Sequence, residues 1–506
     1  MTVQSSKPWW HLKLNALRVV TLLAPPLALA LVWISPLISR REKILGFIGI
    51  PIYSILYVAL LACALDAWFG IAVYEWRGGY WPVLTLSPTQ PNYEAVEASR
   101  AQQRRAAPTT IPPLQSASPL ESWPGFRGAN RDGHYTGAMI LTNWPATGPR
   151  LLWKQPVGGG YASFAIANGI AFTIEQRRAE EVVAAYELAT GREVWTHGWE
   201  AQFRESIGGN GPRATPTYAD GRLYALGGRG ELRCLNAMTG ELLWRHDIVR
   251  ENRAEELKYG VSASPLIVDE MLIVLAGKSA GRSVVAYHRV TGEVLWHAFD
   301  DQPAYVSPMY VTLAGEPQLL IVFASRTVGV AVADGRLLWE IAWGEPQLGR
   351  NVAQPVLWNG NRLLLSAGYD TGCTALEITK SASALDARPV WTNKSLKNKF
   401  PSSVFWNGHI YGLDEEILTC LDTSTGERKW KDGRYGYGEM LLASGHLIIL
   451  CGDGDLALVK ASPEKHEEIA RVPGIKGKTW NHPAIADGKL LVRNAVEMAC
   501  FDLSVK

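Results

Sequence analysis

From residue 158 onward, apolar and polar positions alternate in short runs separated by Gly, Asp and Asn, which predicts brief β-strands joined by tight turns. The runs recur in a fixed order. One unit reads TPTYADGRLYALGGRGELRCLNAMTGELLW from Thr215. Its opening returns as QPVLWNGNRLLL at Gln354, as HPAIADGKLLVR at His482, and more loosely as SPLIVDEMLIVL at Ser264. The closing half places Trp four residues after a turn Gly, at Gly191/Trp195, Gly240/Trp244, Gly292/Trp296, Gly335/Trp339 and Gly426/Trp430, while a shorter PVW ends at Trp391. Six residues before each of those glycines stands a small residue: Ala185, Cys234, Ala286, Gly329 or Cys420. Counted from Trp153, the tryptophans are 42, 49, 52, 43, 52 and 39 residues apart.

A period of this length marks a repeat architecture. Four-stranded units bury one another's faces when they stand radially, so the reading is all-β: an eight-bladed β-propeller over residues 123–506. The C-terminal strands have no closing Trp of their own, and PRLLWKQPV around Trp153 is expected to complete the last blade and remove its open edge. A seven-bladed ring is the alternative, if Met440 to Val459 belongs to a composite blade. The tryptophans are read as wedges between blades with their indole N–H on backbone carbonyls. The small column is read as a crowded position that larger side chains would overpack.

The N-terminal pattern is different. Val19 to Ser39 and Ile44 to Leu65 carry no charge, and each is long enough to cross a bilayer as helix. With SRREK between them, residues 1–74 are predicted to form a transmembrane helical hairpin, its first helix kinked at Pro25 and Pro26. Arg40, Arg41 and Lys43 draw the loop to the cytoplasm, and Lys7, Lys13 and Arg18 draw the tail there. The first arrangement is preferred. It puts the propeller on the periplasmic side of the inner membrane. Residues 75–122, rich in Pro, Ser, Ala and Gln, are expected to be a flexible linker.

Composition changes little in this picture. A net charge of +2 over 506 residues predicts no nucleic-acid partner. Six cysteines without a CxxC make zinc and disulfides unexpected, and Cys234, Cys420 and Cys500 read as small buried hydrophobes. No catalytic residue and no metal site are assigned.

Candidate chemistry lies in the polar connections between blades, which gather near the axis. Arg204, Arg213, Tyr259, Arg350, Asn351, Lys399, Tyr437, Trp480, Asn481 and His482 are the candidate binding residues, joined at the mouth by Tyr305 and Arg434. Arg can fork the oxygens of an anionic or quinonoid ligand while an aromatic ring stacks on its plane. His482 is the candidate for acid–base work. WPGFRGANRDG, Trp123 to Gly133, is expected to pin the entry to the propeller, with Arg127 and Asp132 as an ion pair.

CLNAMTGELLW and CLDTSTGERKW resemble the repeat of the pyrroloquinoline-quinone propeller superfamily, A-x-D-x-x-T-G-x-x-x-W, with Asn236 in place of the Asp and Asp422 retaining it. The whole stretch from Trp123 is similar to membrane-anchored bacterial relatives of the outer-membrane assembly lipoprotein propeller. That resemblance implies a non-catalytic, membrane-anchored scaffold binding protein or cell-envelope partners outside the cytoplasm, without a cofactor. The superfamily's enzymes imply the alternative, a PQQ-dependent oxidoreductase acting on an alcohol or sugar, with pyrroloquinoline quinone and calcium. The chain lacks their adjacent Cys–Cys pair, and no lipobox precedes the propeller.

Overall fold

The computed structural model describes residues 32–33, 38–69, 71–79, 81–88, 91–106, 121–205, 208–344, 351–382 and 384–505. They form two compact units, 1–90 and 91–506.

In the first unit, helix α1 (Arg40–Phe69) is followed by a strand pair, β1 (Ile71–Glu75) and β2 (Val83–Pro88). Within α1, Ile48–Leu65 has a mean hydropathy of 2.2, and it is the one stretch among the described residues long and apolar enough to cross a membrane. Arg40 and Arg41, expected in a turn, begin this helix. The first expected span, Val19 to Ser39, lies outside the described residues apart from Val32, Trp33, Ile38 and Ser39, so one such helix is seen where a hairpin of two was expected.

The second unit is an eight-bladed propeller. Seven blades follow one another at 165–200, 217–247, 266–298, 309–342, 356–393, 404–434 and 439–473, each a four-stranded antiparallel meander. The eighth joins the C-terminal strands at 484–502 to β4 (Arg150–Pro156), with Cys500 opposite Trp153. Residues 439–473 form a blade of their own and gain a fifth strand, the parallel β3 (His134–Tyr135). The first strand of every blade is innermost, and the interiors between blades are dry: Tyr224, Leu226 and Cys234 of blade 2 meet Leu272, Val274 and Tyr287 of blade 3.

The turn Gly and the Trp form a joint between neighbouring blades. Trp153, Trp195, Trp244, Trp296 and Trp391 each donate Nε1–H to a carbonyl of the next blade, at Leu188, Ala237, Arg289, Val332 and Thr423, over 2.9–3.2 Å. Each acceptor lies three residues before a turn Gly with φ between +72° and +80°. A Cβ on Gly240 would stand 2.5 Å from the Trp195 ring, so the close approach requires glycine there. Trp339 departs from the rule. The next blade offers a long hairpin at Ser381–Ala384 without that Gly, and Trp339 donates to Gln318 of its own blade at 2.5 Å. The small column has a sharper cause than general crowding, since Ala185, Cys234, Ala286, Gly329, Cys420 and Cys500 lie directly opposite the tryptophans across the strand pair.

Residues 75–122, expected to be a flexible linker, contain β2 and a helix, α2 (Tyr93–Ala106). α2 packs on the propeller. Arg100, 2% exposed, donates to Pro156 O at 2.9 Å and lies over the Tyr186 ring, while Gln103 accepts from Glu193 N. Its polar composition hides this docking, because the helix is held by hydrogen bonds more than by an apolar stripe.

Candidate functional site

Each chain entry into an innermost strand brings a polar side chain to the axis: Ser163, Thr215, Ser264, Ser307, Gln354, Ser402, Glu439 and His482. At these entry positions no further strand lies inside to accept the backbone N–H groups, so the side chains do. Ser163 N donates to Thr215 Oγ1 (3.0 Å), Thr215 N to Ser264 Oγ (2.9 Å), Ser264 N to Ser307 Oγ (2.9 Å) and Ser307 N to Gln354 Oε1 (2.8 Å). Gln354 N continues to Ser402 Oγ (3.1 Å) and Ser402 N to Glu439 Oε2 (3.3 Å). His482 Nδ1 stands 3.2 Å from the same Glu439 oxygen, and Ser163 Oγ closes the circle on His482 O (2.5 Å).

Residues 123–135 plug this girdle. Trp123 bridges to Ile166, Pro124 O accepts from Tyr218 N, and β3 lies along Ala443. Between these anchors two buried arginines in the left-handed region, at φ 59° and 58°, reach across the axis. Arg131 donates to the carbonyls of Ser264, Pro265 and Pro308, and Arg127 to those of Ser403 (2.8 Å) and Asp132 (3.0 Å). The expected Arg127–Asp132 ion pair is therefore a bond to the Asp132 backbone. The Asp132 carboxylate instead accepts from His134 N (2.9 Å).

Burial pushes the Glu439 carboxyl well above its ordinary range, with Arg127 and the Ser402 N–H pulling the other way. Burial, and then the Arg127 charge, hold His482 well below the usual imidazole value. His482 is therefore neutral at neutral pH, and Phe126 packs edge-on against the imidazole at 4.7 Å. His482 is thus a girdle residue and not a solvent-facing acid–base group. Asn481 donates to Gly160 O and Ala162 O, and Asn351 donates to Phe323 O while its own carbonyl receives Tyr305 N. These three candidates knit the connections together.

The other candidates sit around the mouth, where outer strands cross to the next inner strand. Arg213 lies between the rings of Phe203 (4.5 Å) and Tyr161 (5.5 Å). Tyr161 stacks on Trp480 at 5.6 Å, Trp480 on Phe400 at 4.8 Å, and Phe400 meets Tyr437 at 5.6 Å. Lys399, buried, covers Tyr437 and Tyr369, and Lys478 covers Trp480 at 3.8 Å. Tyr259 and Tyr305 form a second pair at 5.5 Å. Arg213, Tyr259, Lys399, Tyr437 and Trp480 therefore do gather at one face. Arg204 is exposed, Arg434 is exposed and pairs with Glu416, and Arg350 lies outside the described residues.

Much of the positive charge here is already taken up by the protein. Arg213 donates to Gly211 O and Gly209 O at 2.6 Å, and Lys478 donates to Gly208 O at 3.2 Å, so both hold the blade 1–2 connection. Tyr161, Phe203, Phe400, Lys478 and Glu439 were missed from sequence. The girdle had a signal, the polar residue before the repeating Pro in TP, SP, QP and HP.

A quinone with calcium requires several converging carboxylate and carbonyl oxygens. Among the described residues no three His, Cys, Asp or Glu side chains stand together in a way that would hold a metal. The girdle's single carboxyl, Glu439, is engaged with His482 at 3.2 Å and accepts from Ser402 N. The residues present do not fit that cofactor pair.

Comparison with known proteins accords with this geometry. A family model described as "Outer membrane protein assembly factor BamB" (PQQ_2) matches residues 178–432, half of the chain. The outer membrane protein assembly factor BamB of Shewanella oneidensis is 25% identical over 266 residues, covering 49% of this chain and 61% of that relative, less than two thirds of its length. The crystal structure of BamB from Moraxella catarrhalis superimposes with a TM-score of 0.52 at 14% identity, covering 70% of this chain and 99% of that one. The quinohemoprotein alcohol dehydrogenase ADHIIG from Pseudomonas putida HK5 reaches the same TM-score at 12% identity, covering 76% and 81%, a likeness of fold alone. By the match to its repeats, the chain belongs to the PQQ_2 family of propellers.

Proposed function

We propose that this protein is a non-catalytic propeller scaffold of the cell envelope, held at the inner membrane by an N-terminal helical hairpin and presenting its mouth to a protein partner in the periplasm. The observation that carries this reading is the occupied axis. Arg127 and Arg131 fill it from one end, and the girdle side chains bond one another. What remains at the other end is a broad rim of aromatic and polar side chains, the composition of a recognition surface. The name shared by the family and its relatives points to outer-membrane protein assembly as the setting. α1 supplies one apolar helix of the length an anchor needs, and the uncharged run at 19–39, most of it outside the described residues, is long enough in sequence to supply the other.

The test is a photo-crosslinking side chain at Arg204 or Lys258, both exposed on this face, in the native host. The expected result is a discrete adduct with an envelope assembly protein, with lower levels of outer-membrane barrels when the gene is deleted. Dye-linked oxidation of alcohols after addition of pyrroloquinoline quinone and Ca²⁺, without any adduct, would overturn it.

A further inference from the structure

The face opposite the mouth carries a cleft of about 220 Å³ built by the plug segment, lined by Glu121, Trp123, Asn130, His134, Tyr135 and Thr136 among others. This volume falls below the ~300–1,000 Å³ of pockets for drug-sized ligands, so it suits one small ring and not a chain.

The charge of the lining narrows the ligand class. No Lys or Arg lines the cleft, and burial lowers His134 below the ordinary imidazole value, so that it is neutral at neutral pH. An anion therefore has no cation to meet. Glu121 is held in place by the Tyr135 hydroxyl, Ala138 N and Asp487 N. A carboxylate has about four acceptor positions, so one remains for a ligand hydroxyl. Asn130, Ser122 and Thr136 are exposed at the rim and offer both donors and acceptors. Trp123 adds a buried Nε1–H without a protein partner, a donor that favours an acceptor oxygen nearby.

The backbone beside the cleft also holds two non-glycine residues in a sparsely populated conformation, Arg127 at φ 59° and Arg131 at φ 58°. Such strain collects at functional sites more than elsewhere. In this segment Gly128 is fixed by contact, since a Cβ there would stand 3.1 Å from the Trp123 ring.

We propose that this cleft binds a single neutral sugar ring, such as a terminal unit of an envelope glycan, with its hydroxyls on Glu121, Asn130 and Thr136 and its C–H face on the apolar wall. The site is separate from the mouth and stands or falls independently of the scaffold reading.

The experiment uses the full chain in a polyoxyethylene detergent, which carries no sugar headgroup. Saturation-transfer difference NMR is recorded with glucose, galactose and N-acetylglucosamine at millimolar concentration, and with acetate, phosphate and a short neutral peptide. The expected result is transfer to at least one sugar, weakened tenfold or more in the Asn130→Ala/Thr136→Val variant. Both positions are exposed, so this variant keeps the fold. Absence of transfer to every sugar, transfer unchanged in the variant, or binding of only the anions or the peptide would each overturn the proposal.

Discussion

Gly329 stands directly opposite Trp339, and a Cβ there would fall 2.0 Å from Nε1 and 2.3 Å from Gln318 Oε1. Gly329→Ala must push the indole off its acceptor, and overpacking of this kind costs about 1–3 kcal/mol, measurable as a lower denaturation midpoint in urea. Gln318→Ala tests the same contact from the other side and leaves a buried N–H unpaired, at about 1–3 kcal/mol. Cys234, Cys420 and Cys500 occupy the equivalent column in other blades, and burial pushes each thiol up to about 12. The five propeller cysteines, all buried, are expected to react with a thiol reagent only in denaturant, because the thiolate is the nucleophile. Glu181 gives a pH test. Burial raises its carboxyl to about 7, partly offset by the Gly228 N–H. A folded value above the unfolded one means that its stabilising contribution is complete below about 4.5 and lost as the pH rises toward 7. Glu181→Gln should therefore gain stability on the parent between pH 4.5 and 7, by up to about 3 kcal/mol, read from midpoints at the two pH values.

Among the elements, the plug has the most to lose. One guanidinium, Arg131, ties the entries of blades 3 and 4 together through three carbonyls. Arg131→Met keeps the bulk and removes the donors, leaving those carbonyls buried without their partner. The expected loss is several kcal/mol, since hydrogen bonds from charged groups contribute about 1.5–3 kcal/mol each. The measurement is a thermal scan beside Arg127→Met, which has fewer carbonyl partners and should lose less. The segment WPGFRGANRDG was legible as a fastening, because Gly and Arg at that density do not form a strand. Its acceptors were not legible. They are backbone carbonyls from three blades between residues 264 and 403, and a backbone carbonyl has no letter in a sequence. α2 escaped notice for a related reason: its anchoring partners lie on two blades, Pro156 on β4 of the eighth and Tyr186 and Glu193 on the first, which meet only when the ring closes.

For the whole molecule, closure by β4 predicts where the chain can be cut. A fragment starting at residue 91 retains every blade and both fastenings and should unfold in a single cooperative transition. One starting at residue 158 loses the outer strand of blade 8 and the plug, exposes the edge at Glu497–Asp502, and is expected to aggregate. Size-exclusion chromatography separates the two outcomes. The repeat itself was readable because a blade is a local object. Its turns and strands, its Trp and its small column all fall within about fifty residues, so periodicity pointed to a ring sealed by the Trp153 strand, and the choice of eight blades over seven came with residues 439–473 forming a blade of their own. The apolar helix at Ile48–Leu65 was readable on the same ground, as a property of consecutive residues. Tertiary structure decided everything that depends on meeting across the axis. It turned His482 from a candidate acid–base group into a neutral neighbour of Glu439, and it set the nitrogens of Arg213 on glycine carbonyls instead of a ligand. Charge and hydrogen-bonding capacity are written in the residue type, but whether they are already used depends on partners hundreds of residues away, which only the closed ring brings within reach.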